Sequence, residues 1–249
     1  MERRALIISN PGVPGSKTYC EGVIKDVMNY KDFLASPIGG FWDVTSVEHL
    51  PCPTEADVKL VLAKMKPVDY SLIIFCGHGY YSSQTESTIL ELGKGDFNSD
   101  LLRGVTRKQT IILDCCRVIA PRITLEDRIY ASEITKSERF NGLSCRRYYN
   151  DKIEKCDPGI LVLNACSIGE KAGDDSEKGG YYSYNLLKSA RRWTEETVVD
   201  LSKNFKTLSV PETHDLAKGN VTTRSNGTQH PQVEKPRSEP YFPFAIMAG

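Results

Sequence analysis

Two apolar runs of strand length, each closing abruptly on polar residues, constrain the fold of this chain more than any other feature. The first, Leu72-Ile73-Ile74-Phe75-Cys76, stops at Gly77-His78-Gly79. The second, Thr110-Ile111-Ile112-Leu113, stops at Asp114-Cys115-Cys116. Strands that are apolar on both faces belong to a parallel sheet covered by helices on both sides. In open sheets of this kind, functional groups gather at the carboxyl ends of the strands. Neighbouring strands lie about 4.8 Å apart, so if the two runs are adjacent, His78 and Cys116 stand side by side at one sheet edge.

The remaining sequence alternates in the way such a sheet requires. Further strands are predicted at residues 4–9, 44–50, 159–166 and 241–247, the last with Pro243 suggesting an edge position. Helical spacing covers residues 19–34, and Thr54 with Asp57 three residues later opens a second helix. Helices are also predicted at 182–193 and 197–208, a short one at 100–105, and a small hairpin over 88–96. Residues 210–240, rich in Thr, Asn, Gly and Pro, are expected to be mostly loop. The expected architecture is α/β: one domain over 1–249, a mostly parallel six-stranded sheet flanked by helices on both faces. Residues 118–156 stand apart as a long insertion between two core strands, with eight basic and six acidic residues. Asn10-Pro11-Gly12-Val13-Pro14-Gly15 after the first strand is neither GxGxxG nor a P-loop, which argues against a nucleotide site.

Lys and Arg number 32, balancing 32 Asp and Glu, so bulk charge points to neither nucleic acid nor a membrane surface as partner. No apolar stretch approaches a membrane span or a signal-peptide core. Eight cysteines are scattered without CxxC spacing, several in strand-like runs, which suits reduced thiols and a cytoplasmic protein. No cofactor or metal is implied. Asp174-Asp175 could approach a calcium ion, but two carboxylates are a weak signal; they are expected to be solvated, or to add negative potential near a site.

A histidine can serve as general base and acid, and cysteine is the side chain most readily made nucleophilic near neutral pH. Side chains alternate along a strand, so Asp114 and Cys116 share a face while Cys115 points away. Cys116 is then the nucleophile and Cys115 a packing thiol. That alternation, with the lack of ligand spacing, also argues against a metal or redox site built from Cys76, His78, Cys115 and Cys116. The glycines beside His78 allow close backbone approach, so the Gly79 amide is placed to stabilise an oxyanion.

Phe75-Cys76-Gly77-His78-Gly79 and Leu113-Asp114-Cys115-Cys116-Arg117 resemble the two signature motifs of the caspase and metacaspase peptidases. The resemblance extends to Arg4-Ala5-Leu6-Ile7-Ile8, to Gly22-Val23-Ile24-Lys25-Asp26-Val27, and to Leu163-Asn164-Ala165-Cys166 followed by Gly179-Gly180-Tyr181-Tyr182. It implies a His78/Cys116 dyad with the Gly79 and Cys116 amides as oxyanion hole. It also implies an acidic pocket from Asp26 and Asp114, with Cys76 in place of the usual serine. A buried carboxylate without a partner costs roughly 3–5 kcal/mol, so such a pocket favours protein substrates with Arg or Lys at P1 and repels acidic ones. Arg117 departs from the His or Gln common after the nucleophile. The 118–156 segment falls where caspases carry the linker between large and small subunits. Arg139 and the dibasic Arg146-Arg147 are candidate processing sites of a zymogen, cut by itself or by an upstream protease. Prokaryotic members of this kind suggest a stress or antiphage role. A catalytically inactive caspase-like interaction module is the alternative.

Overall fold

The computed structural model of the chain describes residues 1–119, 141–197 and 205–247. Its centre is a six-stranded sheet. From one edge to the other it comprises β10 (Gln232–Glu234), β8 (Gly159–Asn164), β7 (Lys108–Asp114), β3 (Tyr70–Gly77), β1 (Arg3–Asn10) and β2 (Val47–Pro51). All neighbours pair in parallel except β10, which runs antiparallel to β8. The strands β1, β3, β7 and β8 are the near-continuous apolar runs of the sequence, and burial on both faces is what their composition demands.

Two hydrophobic clusters fill the spaces on either side of the sheet. One joins Ile7, Ile74, Cys76 and Ile112 to helix α1 (Gly22–Ala35), α3 (Gly142–Lys155), α4 (Tyr181–Glu196) and α5 (Val210–Arg224). The other joins Leu6, Ile8, Ile73 and Phe75 to α2 (Glu55–Met65) and to a small antiparallel sheet of β4 (Gly79–Ser82), β5 (Ser87–Glu91) and β6 (Asp96–Asn98). Thr54 and Asp57 form the expected reciprocal cap of α2, each side chain bonding the other's backbone amide. The short helix expected over 100–105 is a 3-10 turn at Ser99–Leu102.

The structure differs from the sequence reading in four places. The sixth strand of the main sheet is β10, not the 241–247 run. That run forms β11 (Pro243–Met247), which pairs with β9 (Lys206–Ser209) in a separate two-stranded sheet. The helix expected over 197–208 ends instead in β9, with 198–204 outside the described residues. The expected loop at 210–240 contains α5, opened by a Ser209/Glu212 capping box with Pro211 in the first turn. The 118–156 insertion includes α3, which packs Cys145, Tyr149 and Ile153 into the core at helical spacing.

That last difference bears on one candidate processing site, the dibasic Arg146-Arg147. Arg146 and Arg147 lie inside α3, where the backbone is hydrogen-bonded and unable to extend along a peptidase cleft. Arg146 is also engaged, donating from Nε to the Phe41 carbonyl (2.7 Å) and pairing through Nη1 with Asp43. Arg139 lies outside the described residues. Among those that are described, no helix is long and apolar enough to cross a membrane, and no disulfide links the eight cysteines.

Candidate active site

The site begins where β3 and β7 end. Their register pairs Cys76 with Asp114, so two residues further on His78 and Cys116 reach the same level at the carboxyl edge of the sheet. Gly77 is required by crowding, since a Cβ there would lie 2.5 Å from the Asn10 carbonyl on β1. Beyond it the half-buried imidazole of His78 places Nε2 2.5 Å from the Thr18 carbonyl. A carbonyl only accepts, so Nε2 carries the proton, and in the neutral ring Nδ1 is the unprotonated nitrogen. The loop that presents Thr18 passes close, because a Cβ on Gly12 would sit 3.1 Å from His78 Nε2. Across the hairpin, the Glu91 amide donates to the His78 carbonyl (3.0 Å). Gly79 therefore occupies a non-hydrogen-bonded position opposite Leu90, with its own amide directed away from β5.

Cys115 and Cys116 diverge as strand alternation requires. Cys115 is buried in the cluster beneath α2, close enough to Gly79 that a Cβ there would meet its sulfur at 2.9 Å. Cys116 is half-buried, and its sulfur accepts from the Ala172 amide (3.3 Å) while facing the Ala172 carbonyl at 3.8 Å. Burial pushes the Cys116 thiol up, and the Ala172 amide works in the opposite direction. The net effect favours the protonated thiol over the thiolate at Cys116. Arg117, next in sequence, fastens this corner. Its amide donates to the Glu170 carbonyl, its Nε to Thr88 Oγ1 and its Nη1 to the Cys166 carbonyl, and it lies over the Tyr81 ring.

Beside the thiol lies a group of carboxylates. Asp26 on α1 and Asp114 at the end of β7 are both buried. Gly180 donates its amide to Asp26 Oδ2 (2.9 Å), and Ser183 donates its amide to Asp114 Oδ2 (2.8 Å). The two acids converge on one glycine: a Cβ at Gly180 would meet Asp114 Oδ2 at 2.5 Å and Asp26 Oδ2 at 3.1 Å. Asp26 Oδ1 is buried without a partner among the described residues. Burial drives both acids upward, Asp26 well above its ordinary range with Asp114 adding to the effect, and Asp114 to about 6. Asp174, accepting from the Gly22 amide at 3.2 Å, is a third carboxylate, also raised by burial.

Cys20 sits between this group and the dyad, its sulfur 3.7 Å from His78 Nε2. Burial, followed by the charge of Asp174, pushes its thiol up to about 12, so it stays protonated. Cys76 is fully buried behind the two acids. His78, Gly79, Cys116, Asp114, Asp26 and Cys76 are thus brought to one corner of the sheet, whereas Arg146 and Arg147 lie on α3. Sequence reasoning missed Thr18, Cys20, Gly12 and Ala172, three of which act through backbone atoms or the lack of a side chain. It read Asp174-Asp175 as solvated or as adding negative potential near the pocket, and the second alternative describes Asp174. Asp174 faces the acid group, and Asp175 is buried against Arg224. Among the described residues, no cluster of three or more His, Cys, Asp or Glu could hold a metal ion.

A three-layer α/β domain with histidine and cysteine at adjacent parallel strand ends is the framework of a class of cysteine peptidases. Comparison with known proteins narrows the class: the family model described as the caspase domain matches residues 2–242. The chain therefore belongs to the caspase domain family and carries a caspase-like cysteine peptidase domain. The crystal structure of caspase-1 from Spodoptera frugiperda has a similar fold, with a TM-score of 0.57 at 13% identity. The match covers 99% of this chain and 88% of that one. No curated protein sequence matches the chain.

Proposed function

We propose that this domain is an endopeptidase that cleaves protein chains after Arg or Lys, with Cys116 as nucleophile and His78 as general base and acid. The observation that carries the specificity is the convergence of Asp26 and Asp114 on Gly180, with Asp26 Oδ1 buried and unpartnered. A guanidinium or ammonium group supplies the missing donor and opposes the like-charge repulsion, while an acidic P1 side chain would add to it. The Thr18 carbonyl holds Nε2–H, which leaves Nδ1 to take the proton of Cys116. The thiolate attacks the scissile carbonyl, and the Gly79 and Cys116 amides receive the developing oxyanion. His78 then returns the proton to the leaving amine, and water hydrolyses the thioester.

The test uses fluorogenic peptides ending in Arg, Lys or Asp, assayed with the wild-type chain and with Cys116→Ala. Cleavage after Asp, or activity that survives in the variant, overturns the reading. The placement of Arg146 and Arg147 in α3 favours Arg139 over them as the site of any activating cleavage, by the enzyme itself or an upstream protease. An Arg139→Ala chain that is nicked and activated like the wild type removes Arg139 from that role.

A further inference from the structure

The loop after β8 places three groups at the site: Ala172 on the Cys116 sulfur, Asp174 on the start of α1, and Gly180 on Asp26. Its shape is set by Asp175, whose side chain is only 2% exposed. Asp175 Oδ1 accepts from the amides of Glu177 and Lys178, both at 3.0 Å. The Asp175 and Gly179 backbones exchange hydrogen bonds in both directions (3.2 and 2.8 Å), closing a five-residue turn. Gly180, whose amide reaches Asp26, is the next residue. The second oxygen, Oδ2, is held by Arg224, 49 residues away at the end of α5. The Arg224 guanidinium also lies 4.4 Å from the centre of the Tyr181 ring and 5.5 Å from that of Tyr184. Both tyrosines are in the first turn of α4, the turn whose Ser183 amide bonds Asp114.

One cation thus touches both supports of the acid pocket, the turn that aims Gly180 at Asp26 and the helix start that aims Ser183 at Asp114. We propose that Arg224 and Asp175 are positioning residues for P1 recognition, a brace that holds the two pocket carboxylates in the arrangement a basic side chain requires. This rests on the pocket reading above. Without Arg224, Asp175 is a buried carboxylate with one oxygen unpaired, and the turn must open to admit water to it. An ångström-scale displacement of Gly180 suffices to spoil a convergent site, since misplacements of that size cost up to about a hundredfold in efficiency.

The experiment compares wild type, Arg224→Ala, Arg224→Lys and Asp175→Asn in the full chain. KM and kcat are measured on a peptide with Arg at P1, and hydrogen–deuterium exchange is followed over residues 174–183. Arg224→Ala and Asp175→Asn are expected to raise KM roughly tenfold or more with little change in kcat, and to speed exchange across the turn. Arg224→Lys, which keeps the cation, is expected to recover most of both. Unchanged KM, a loss confined to kcat, or unaltered exchange overturns the proposal. Should Arg224→Ala fail to fold, Asp175→Asn carries the same comparison because it keeps an oxygen for the turn. If the wild type does not cleave after basic residues, the pocket reading fails, and exchange alone then decides whether Arg224 holds the turn.

Discussion

Substituting Asp114 by Asn should weaken substrate recognition and strengthen the fold at the same time. Asn keeps the side-chain oxygen that accepts the Ser183 amide at 2.8 Å, so the change is chiefly one of charge. Burial raises Asp114 from 3.8 to about 6, with the Ser183 hydrogen bonds acting the other way. Two pKa units correspond to about 3 kcal/mol. A carboxyl whose folded pKa is raised favours the fold while protonated, and that advantage disappears as the pH climbs from about 4 through 6. At pH 7.5 the ionised Asp114 therefore weakens the free enzyme, by at most about 3 kcal/mol. For a chain of this size 1 kcal/mol moves Tm by about 2–4 °C, so Asp114→Asn should melt several degrees higher at pH 7.5. The two proteins should converge near pH 4. On the proposed basic specificity the same substitution removes one of the charges that would meet a P1 guanidinium, and kcat/KM on Arg peptides should fall about a hundredfold, equivalent to about 3 kcal/mol. In the wild type, KM for those peptides should rise as the pH drops below about 6, where the pocket becomes neutral. Thermal melts at the two pH values and peptide kinetics measure both effects. A Tm at pH 7.5 equal to or below that of the wild type, or a kcat/KM within threefold of it, refutes the reasoning.

Two further outcomes are expected. Gly12→Ala places a Cβ 3.1 Å from His78 Nε2 at a φ of +88°, costing about 1–2 kcal/mol of backbone strain and pressing the ring off Thr18. Its kcat should fall at least about tenfold with KM little altered, and an unchanged kcat would contradict the role given to the Thr18 carbonyl. Burial holds His214 down at about 4, where it shares a hydrogen bond of 2.8 Å with the Tyr182 hydroxyl. That depression gives stability present in full above about pH 6.5 and lost as the pH falls toward 4, about 3 kcal/mol in all. Urea unfolding at pH 7.5 and 4.5 should show the loss in the wild type and a flatter dependence in His214→Gln; parallel curves would exclude it.

The parts of the site that depend on strands were legible in the sequence because Leu72 to Cys76 and Thr110 to Leu113 admit few other readings. Alternation separates Cys115 from Cys116 on the sequence pattern alone. Helix α5 was obscured by Gly219, Asn220, Thr222 and Thr223, whose low helical propensity is overridden by packing, although the Ser209-Pro211-Glu212 start signal was readable. For α3 the spacing of Cys145, Tyr149 and Ile153 behind the Asn141 cap was equally present, but charge pattern drew attention to Arg146-Arg147 instead. Thr18 contributes a carbonyl, which no side-chain pattern encodes. Asp174 and Asp175 are adjacent and chemically identical, and what distinguishes them is an arginine 49 residues from Asp175, a partnership only the tertiary structure displays.

The adjacency of β7 and β8 bears on the integrity of the molecule after scission. Six register positions, from Lys108 opposite Gly159 to Leu113 opposite Asn164, join strands that are connected in sequence through residues 115–158. A cut within 120–140 severs no hydrogen bond among the described residues. It yields two fragments, one with Asp26, His78 and Cys116, the other with Asp174, Gly180 and Arg224. Neither fragment owns a complete site. The peptide link between them serves as a tether whose worth is an effective concentration, and a cleaved molecule becomes a split protein whose working state depends on dilution.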